Sequence, residues 1–256
     1  IIKNGLSNNQ LVNLLRSGSE VEVNVVFNSI RTKEQLAGRI AEQLEVDSLA
    51  LLDLLYDDAF IQSMGFDDKT IISLFIPNTY RFFWDTDAKE FVTRMKREYD
   101  IFWSDERLKK AEKIGMKPLE VMTLASIVEE ETKKNDEKER LAGVYINRLK
   151  KGWRLQADPT IIFALGNFSI NRVLTKHLEI DSPYNTYKNK GLPPGPINIP
   201  SITSIDAVLN YEAHDYMYFC AKDDFSGYHY FSKTLKQHNE YAARFQKALN
   251  KKRIYR

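Results

Sequence analysis

The chain has 256 residues, enough for one large domain or two ordinary ones with a buried core that needs no disulfide or metal. Hydrophobic residues make up 43% and charged residues 28%, ordinary globular usage that excludes a disordered, collagen-like or disulfide-scaffold protein. With 37 Lys and Arg against 35 Asp and Glu, the formal net charge is +2, so no global field draws the protein onto nucleic acid.

An amphipathic helix is predicted over residues 8–17, with Leu11, Leu14 and Leu15 facing inward and Gly18 as its stop. An alternating strand follows from Val21 to residue 27. Thr32 reads as the N-cap of a second helix, with Gln35 three residues on and Leu36, Ile40 and Leu44 on one face. A further helix is expected over residues 49–63 and a strand over 71–76, before the Pro77-Asn78 turn. Residues 1–75 thus form a small N-terminal module and residues 76–256 a second domain. In the latter, Phe82, Phe83, Trp84, Phe91, Tyr99, Phe102 and Trp103 crowd a mostly helical segment reaching Lys113.

Helices are predicted over residues 118–132 and 136–150, after which Gly, Pro and Asn dominate from Gly152 to Ser201. A loop region of that length is where a site is expected. Strands over 216–221 and 228–231 flank a turn at 223–227, and a helix over 235–251 follows. Lys247, Lys251, Lys252, Arg253 and Arg256 read as its solvated basic end. No stretch approaches the roughly 18 apolar residues needed to span a bilayer. Because the chain opens at Ile1 in a segment expected to be structured, residues upstream of it are also expected.

Several chemistries drop out. Cys220, the one cysteine, has no disulfide partner and reads as a small buried hydrophobe. His177, His214, His229 and His238 stand far apart without metal-ligand spacing, so neither metal nor cofactor is expected. Phosphate-cradling glycine loops and the serine-hydrolase elbow are absent from the sequence.

What remains is the helix ending in Glu129, Glu130 and Glu131. A run of glutamates is ordinarily a solvated face, but at about 100° per residue the three separate. Leu124, Ile127 and Val128 form an apolar stripe, and Glu131 follows them by seven, four and three residues. Glu130 follows Ser126 and Thr123 on the polar side, and Glu129 follows Ala125 and Met122 on a flank. A carboxyl on an apolar face loses solvation in its charged form, which raises its pKa toward that of an acid catalyst near neutral pH. An arginine such as Arg140 or Arg148 holding Glu131 is the competing structural reading.

The sequence Leu124-Ala-Ser-Ile-Val-Glu-Glu-Glu-Thr132, then Ala142-Gly-Val-Tyr-Ile-Asn-Arg-Leu149 and Arg154-Leu-Gln-Ala-Asp-Pro-Thr160, resembles the YceG-like family of endolytic murein transglycosylases. The resemblance continues through Ser182-Pro-Tyr-Asn-Thr-Tyr187, Gly191-Leu-Pro-Pro-Gly-Pro-Ile197, Gly227-Tyr-His-Tyr-Phe231 and His238-Asn239, with Ile76-Pro-Asn-Thr-Tyr80 as an earlier block. It implies an α+β protein with a small LysM-like α/β module followed by a larger mixed α/β catalytic domain with a loop-rich cleft. It further implies a bacterial cell-envelope enzyme that cuts inside peptidoglycan glycan strands, meets peptidoglycan synthases and is held in the cytoplasmic membrane by an N-terminal helix outside this chain. One departure is Asn28-Ser-Ile-Arg-Thr32, which stands where the family usually has a Glu-Gly turn.

The family's catalytic glutamate falls on Glu131, the residue that helical phase selects independently. By resemblance, Glu131 protonates the leaving oxygen of the β-1,4 bond, and the C6 hydroxyl of N-acetylmuramic acid closes a 1,6-anhydro ring without water. Asn147, Gln156, Asp158, Thr160, Asn185 and Tyr187 carry the amides, hydroxyls and carboxylate suited to holding the sugar, and each also suits a cap or turn. Tyr184 and Tyr187 suit stacking on sugar faces or packing of the loop, and His229 and His238 suit orienting the acid or pairing locally. The rival readings are a glycoside hydrolase pairing Glu131 with Asp158 and a catalytically silent glycan-binding scaffold.

Overall fold

The structure, a computed structural model, describes residues 2, 4–17, 22–170 and 172–252. Gly18, Val21, Arg253 and Arg256, which the sequence reading uses, lie outside the described residues.

Helix α1 (Asn8–Arg16) is capped by Ser7 and buries none of its residues. Strand β1 (Glu22–Val26) pairs antiparallel with β2 (Thr79–Phe83), Val25 opposite Tyr80 and Val23 opposite Phe82. Between them run α2 (Lys33–Ala41), α3 (Ser48–Tyr56) and α4 (Asp58–Ser63). Thr32 caps α2 through the Gln35 amide, as its spacing predicts. The single helix expected over 49–63 is broken at Asp57, whose carboxylate caps α4 by accepting from the Ala59 and Phe60 amides.

The strand expected over 71–76 is instead a short 3-10 turn, Ile71–Leu74, fully buried, and the strand that pairs with β1 starts three residues beyond Ile76. A short apolar run fits a buried turn as well as a strand, and the Asp67 carboxylate favours the turn by accepting from the Thr70 amide and hydroxyl. The first core therefore does not end near residue 75. It joins Val25, Phe27, Leu36, Ile40, Leu51, Leu55 and Phe75 to Tyr80 and Phe82 of β2 and to Phe91, Val92 and Met95 of α5 (Ala88–Phe102). The expected division at residue 76 does not coincide with the division between cores.

The second core is built on α7 (Pro118–Glu131), reached through α6 (Asp105–Lys113). Pro118 sits at the first helical position, where its missing N–H costs nothing. All residues from Val121 to Val128 are buried, so α7 is enclosed on every side rather than presenting one stripe. Its two polar members, Thr123 and Ser126, donate to the carbonyls of Leu119 and Thr123, and the Ser126 hydroxyl also accepts from the Ile197 amide. Helices α8 (Asn135–Lys150) and α10 (Ile202–Leu209) pack on α7, as does α9 (Asp158–Leu165), a helix inside the region read as loop. A two-stranded antiparallel sheet, β3 (Tyr218–Ala221) with β4 (His229–Ser232), lies beside α8 and is covered by α11 (Leu235–Lys251). Among the described residues no helix is long and apolar enough to cross a membrane.

The two cores are docked. The Ile199 amide donates to the Ile30 carbonyl at 2.7 Å, and Ile199 is buried in the first core although it follows a proline-rich ledge, residues 191–197, whose Ile197 belongs to the second. At Gly195 on that ledge an added Cβ would lie 2.2 Å from the Lys69 carbonyl oxygen, so only glycine permits this approach.

Candidate active site

Glu131 ends α7 at the wall of a cavity of about 410 Å³. The other walls are Arg148 of α8, Gln156 and Asp158 at the start of α9, Tyr187, Tyr218 and Phe219 of β3, and Leu235 and His238 of α11. Side chains from α8, the start of α9, the loop at Tyr187, β3 and α11 thus share one cavity with the Glu131 carboxyl.

The Tyr145 phenol donates to Glu131 Oε1 at 2.6 Å. Tyr145 and Arg148, three positions apart, share one face of α8. Tyr145 is fully buried, its ring edge-on to Phe219 with centroids 5.9 Å apart. The Arg148 guanidinium is buried as well, donating from Nε to the Met217 carbonyl at 2.9 Å and from Nη1 to the Leu155 carbonyl at 2.5 Å. These bonds fix a positive charge at the cavity wall on two backbone carbonyls rather than on a carboxylate.

Glu131 keeps part of its surface open to the cavity while protein encloses the rest. Burial pushes its pKa up to about 7; the Tyr145 hydrogen bond and the Arg148 charge pull it down, and the charges of Asp158 and Glu130 add to the rise. Such a carboxyl exchanges its proton near neutral pH, which a solvated glutamate does not.

The neighbouring glutamates are held differently. Glu129 accepts from Lys138 at 3.0 Å, from Ser201 at 2.5 Å and from the Ser204 hydroxyl. Burial opposes its ionisation, but these hydrogen bonds outweigh burial and hold its carboxyl below the usual range. Glu130 accepts from Arg31 at 2.6 Å and from the Asn198 amide at 2.7 Å. Both carboxylates are half-buried and paired, whereas sequence reading places Glu130 on a polar face.

The structure brings Glu131, Gln156, Asp158 and Tyr187 together around the cavity. Gln156 is exposed and sits in the left-handed region at φ 52°, a conformation held by its amide donating to the Thr186 carbonyl at 3.1 Å. The Tyr187 phenol donates to Asp158 Oδ1 at 2.5 Å, joining the loop that carries Tyr187 to the start of α9. Asn147, Thr160 and Asn185 stand elsewhere. Asn147 donates to the carbonyls of His214 at 2.7 Å and Tyr216 at 3.1 Å, stapling α8 to the segment before β3. Thr160 is buried against the Ala157 carbonyl and the Thr186 hydroxyl. Asn185 is buried, donating to the carbonyls of Leu178 and Ile180 and accepting from the Tyr187 and Lys188 amides. All three shape the walls from behind.

Tyr184 packs on Phe163 at 4.7 Å on the far side of α9. His229 pairs with the buried Glu137 at 3.0 Å, outside the cavity lining. His238 lines the cavity, stacked on Tyr218, and burial together with Arg148 lowers its pKa. Arg140, offered as a partner for Glu131, pairs with Glu212 at 2.9 Å instead. Tyr145 is the group that sequence reasoning missed, and Arg148 entered it only as a structural alternative; their spacing from a buried helix face was the available signal.

A family model described as the YceG-like family matches residues 1–244. An endolytic murein transglycosylase of Bacillus subtilis is 35% identical over 234 residues, covering 85% of this chain and 64% of the relative. A Streptococcus pneumoniae protein of the same description is 38% identical over 128 residues, covering 48% of this chain and 23% of that one. The chain therefore spans less than two thirds of either curated relative. A crystal structure of a YceG-like protein from Listeria monocytogenes superposes with a TM-score of 0.74 at 33% identity, covering 93% of this chain and 82% of the other.

Proposed function

The chain belongs to the YceG-like family, and on that premise we propose that it is an endolytic lytic transglycosylase of the bacterial cell envelope. It cleaves the β-1,4 bond between N-acetylmuramic acid and N-acetylglucosamine within peptidoglycan strands, as the descriptions of its relatives support. The observation that carries the mechanism is the Glu131 carboxyl at the cavity wall, its pKa pushed up to about 7 by burial, with the Tyr145 phenol donating to it and the Arg148 charge beside it.

Protonated Glu131 gives its proton to the glycosidic oxygen as the C1–O bond breaks, and positive charge builds on the sugar. The C6 hydroxyl of the same N-acetylmuramic acid then bonds to C1 and returns its proton to the Glu131 carboxylate, so no water is consumed. Between the two transfers Glu131 is an anion, which the Tyr145 phenol and the Arg148 guanidinium stabilise where they already stand. Acid and base assistance of this kind is worth about 10²–10⁴ in rate. Gln156, Asp158 and Tyr187 are the proposed sugar contacts; Asn147, Thr160 and Asn185 hold the walls.

The antiparallel pair of β1 and β2, with α2, α3, α4 and a short 3-10 turn running between them, supports a LysM-like reading of the N-terminal part. Anchoring by an upstream helix and contact with peptidoglycan synthases belong to the same proposal.

The test is digestion of purified peptidoglycan in water labelled with oxygen-18, followed by mass spectrometry. Fragments ending in 1,6-anhydro-N-acetylmuramic acid, unlabelled and produced by internal cuts, are expected. Labelled reducing ends would establish hydrolysis and make Asp158 the second carboxylate.

A further inference from the structure

From the contacts of Glu130, we infer that Arg31 of the N-terminal part is a positioning residue for Glu131, acting through the Arg31–Glu130 ion pair on the last turn of α7. The inference rests on the transglycosylase reading for its effect on turnover, but the clamp itself is a matter of structure.

Helix α7 ends in three consecutive glutamates and carries no basic residue in its last turn. Carboxylates at the negative end of a helix dipole, beside carbonyls without helical partners, loosen that turn. The cations that offset them come from elsewhere. Lys138 of α8 reaches Glu129, and Arg31, 99 residues upstream of Glu130, reaches it at 2.6 Å. Glu131 receives a phenol rather than a salt bridge, and burial pushes its pKa up to about 7. Two glutamates thus fix the turn from its flanks while the third faces the cavity.

The Arg31 clamp is itself braced. Ser29 lies in the left-handed region at φ 53°, which turns the chain so that Ile30 is buried and its carbonyl accepts from the Ile199 amide at 2.7 Å. The residue before Ile199 is Asn198, whose side-chain amide donates to Glu130 Oε1 while Arg31 takes Oε2. Arg31 and Asn198 therefore grip the two oxygens of one carboxylate, and the backbone bond between their neighbours closes the ring. The Arg31 guanidinium also covers the Phe168 ring at 4.9 Å, beyond α9. Side-chain exposures of 30% for Arg31 and 18% for Glu130 place the pair where solvent screens it only partly.

The experiment compares the full chain with Arg31→Met, Arg31→Lys and Glu130→Gln, measuring kcat and KM on purified glycan strands, thermal unfolding, and hydrogen exchange at the amides of residues 128–132. Arg31→Met is expected to lower kcat at least tenfold with KM within twofold, and to speed exchange in the last turn of α7 at least tenfold while amides in the middle of α7 are unchanged. Arg31→Lys is expected to restore kcat to within threefold of the parent. If Arg31→Met does not fold, Glu130→Gln decides: a kcat loss of threefold or more at unchanged KM supports the role, and full kcat overturns it. Unchanged exchange in a folded Arg31→Met protein, or a loss confined to KM, also overturns it. An inactive parent whose exchange still responds to Arg31→Met refutes the transglycosylase reading and leaves the clamp standing.

Discussion

The phenol of Tyr145 donates to Glu131 Oε1 at 2.6 Å, from a helix that begins four residues after the one carrying the acid. The bond does two opposed things. It favours the carboxylate over the acid, and it sets the carboxyl plane toward the cavity that Arg148 and Asp158 also line. Burial is the larger influence, so the proton stays on near neutral pH while the hydrogen bond keeps its departure within reach.

Glu131→Gln is expected to cut strand cleavage by about 10²–10⁴-fold, because the amide keeps the shape and Tyr145 contact but has no proton to transfer. Fragment release from purified glycan strands measures it, with circular dichroism reporting the retained fold.

The same substitution should stabilise the protein at alkaline pH. The Glu131 pKa is raised in the fold from an ordinary 4.5 to about 7. A carboxyl raised in this way costs the fold nothing below pH 4.5, an increasing amount as pH climbs toward 7, and its full amount above that. The limit is about 3 kcal/mol, less for the part of Glu131 that meets solvent. Wild type and Glu131→Gln should therefore unfold at similar denaturant concentrations at pH 4.5, with the variant the more resistant at pH 8. Equal shifts at both pH values would contradict the burial argument.

The sequence separates the three glutamates by helical phase, but α7 is buried all round from Val121 to Val128, so in the fold they differ by their partners instead: Glu129 and Glu130 meet cations, and Glu131 meets Tyr145 and the cavity. The groups that support Glu131 were not legible for a physical reason. Tyr145 and Arg148 look like an aromatic core residue and a helix-end cation, and their roles come from Glu131 and from carbonyls at Leu155 and Met217, which only tertiary folding brings near. The amides of Asn147 and Asn185 suit sugar hydroxyls and backbone carbonyls equally; in the fold they meet carbonyls. The strand expected over 71–76 failed similarly, because a buried 3-10 turn and a buried strand share one apolar composition. Hydrogen bonding at Asp67 and Thr70 separates them, and periodicity cannot see it.

Gly143→Ala tests the seat of α8. A Cβ there would lie 2.5 Å from the Glu212 carbonyl oxygen and 2.7 Å from His214 Nε2, so the segment before β3 must move. A loss of about 1–3 kcal/mol in chemical denaturation is expected. The shift would reach Asn147, whose amide grips the His214 and Tyr216 carbonyls, and from there Arg148.

Tyr145→Phe removes the hydrogen bond that favours the Glu131 carboxylate and leaves burial unopposed on that side. The pKa of Glu131 rises, so the acid form persists to higher pH and the alkaline limb of kcat/KM moves upward. At the pH of maximal activity kcat falls, because the carboxylate between the two proton transfers has lost its donor. Stability should change by only about 1 kcal/mol, the usual net worth of one hydrogen bond.

Asp158→Asn should move the same limb in the opposite direction, and the contrast separates the two mechanisms open to this site. The negative charge of Asp158 raises the Glu131 pKa, so its removal lowers that pKa and brings the alkaline limb down. The groups that then set the limb are Tyr145 and Arg148 on α8 and Glu130 beside Glu131 on α7. The amide oxygen of asparagine can still accept from the Tyr187 phenol, so the loop keeps its tie to α9 and the cavity keeps its wall. If the substrate's own hydroxyl is the nucleophile, Asp158 supplies neither nucleophile nor base. Turnover at the shifted optimum should then fall by no more than about tenfold, less than the 10²–10⁴ attached to general acid and base groups. A hydrolase would instead lose one of its two essential carboxylates, and its activity would collapse at every pH. Rates measured from pH 4 to 9 with Asp158→Asn, with the anhydro ends of the fragments confirmed by mass, distinguish a displaced optimum from a lost reaction.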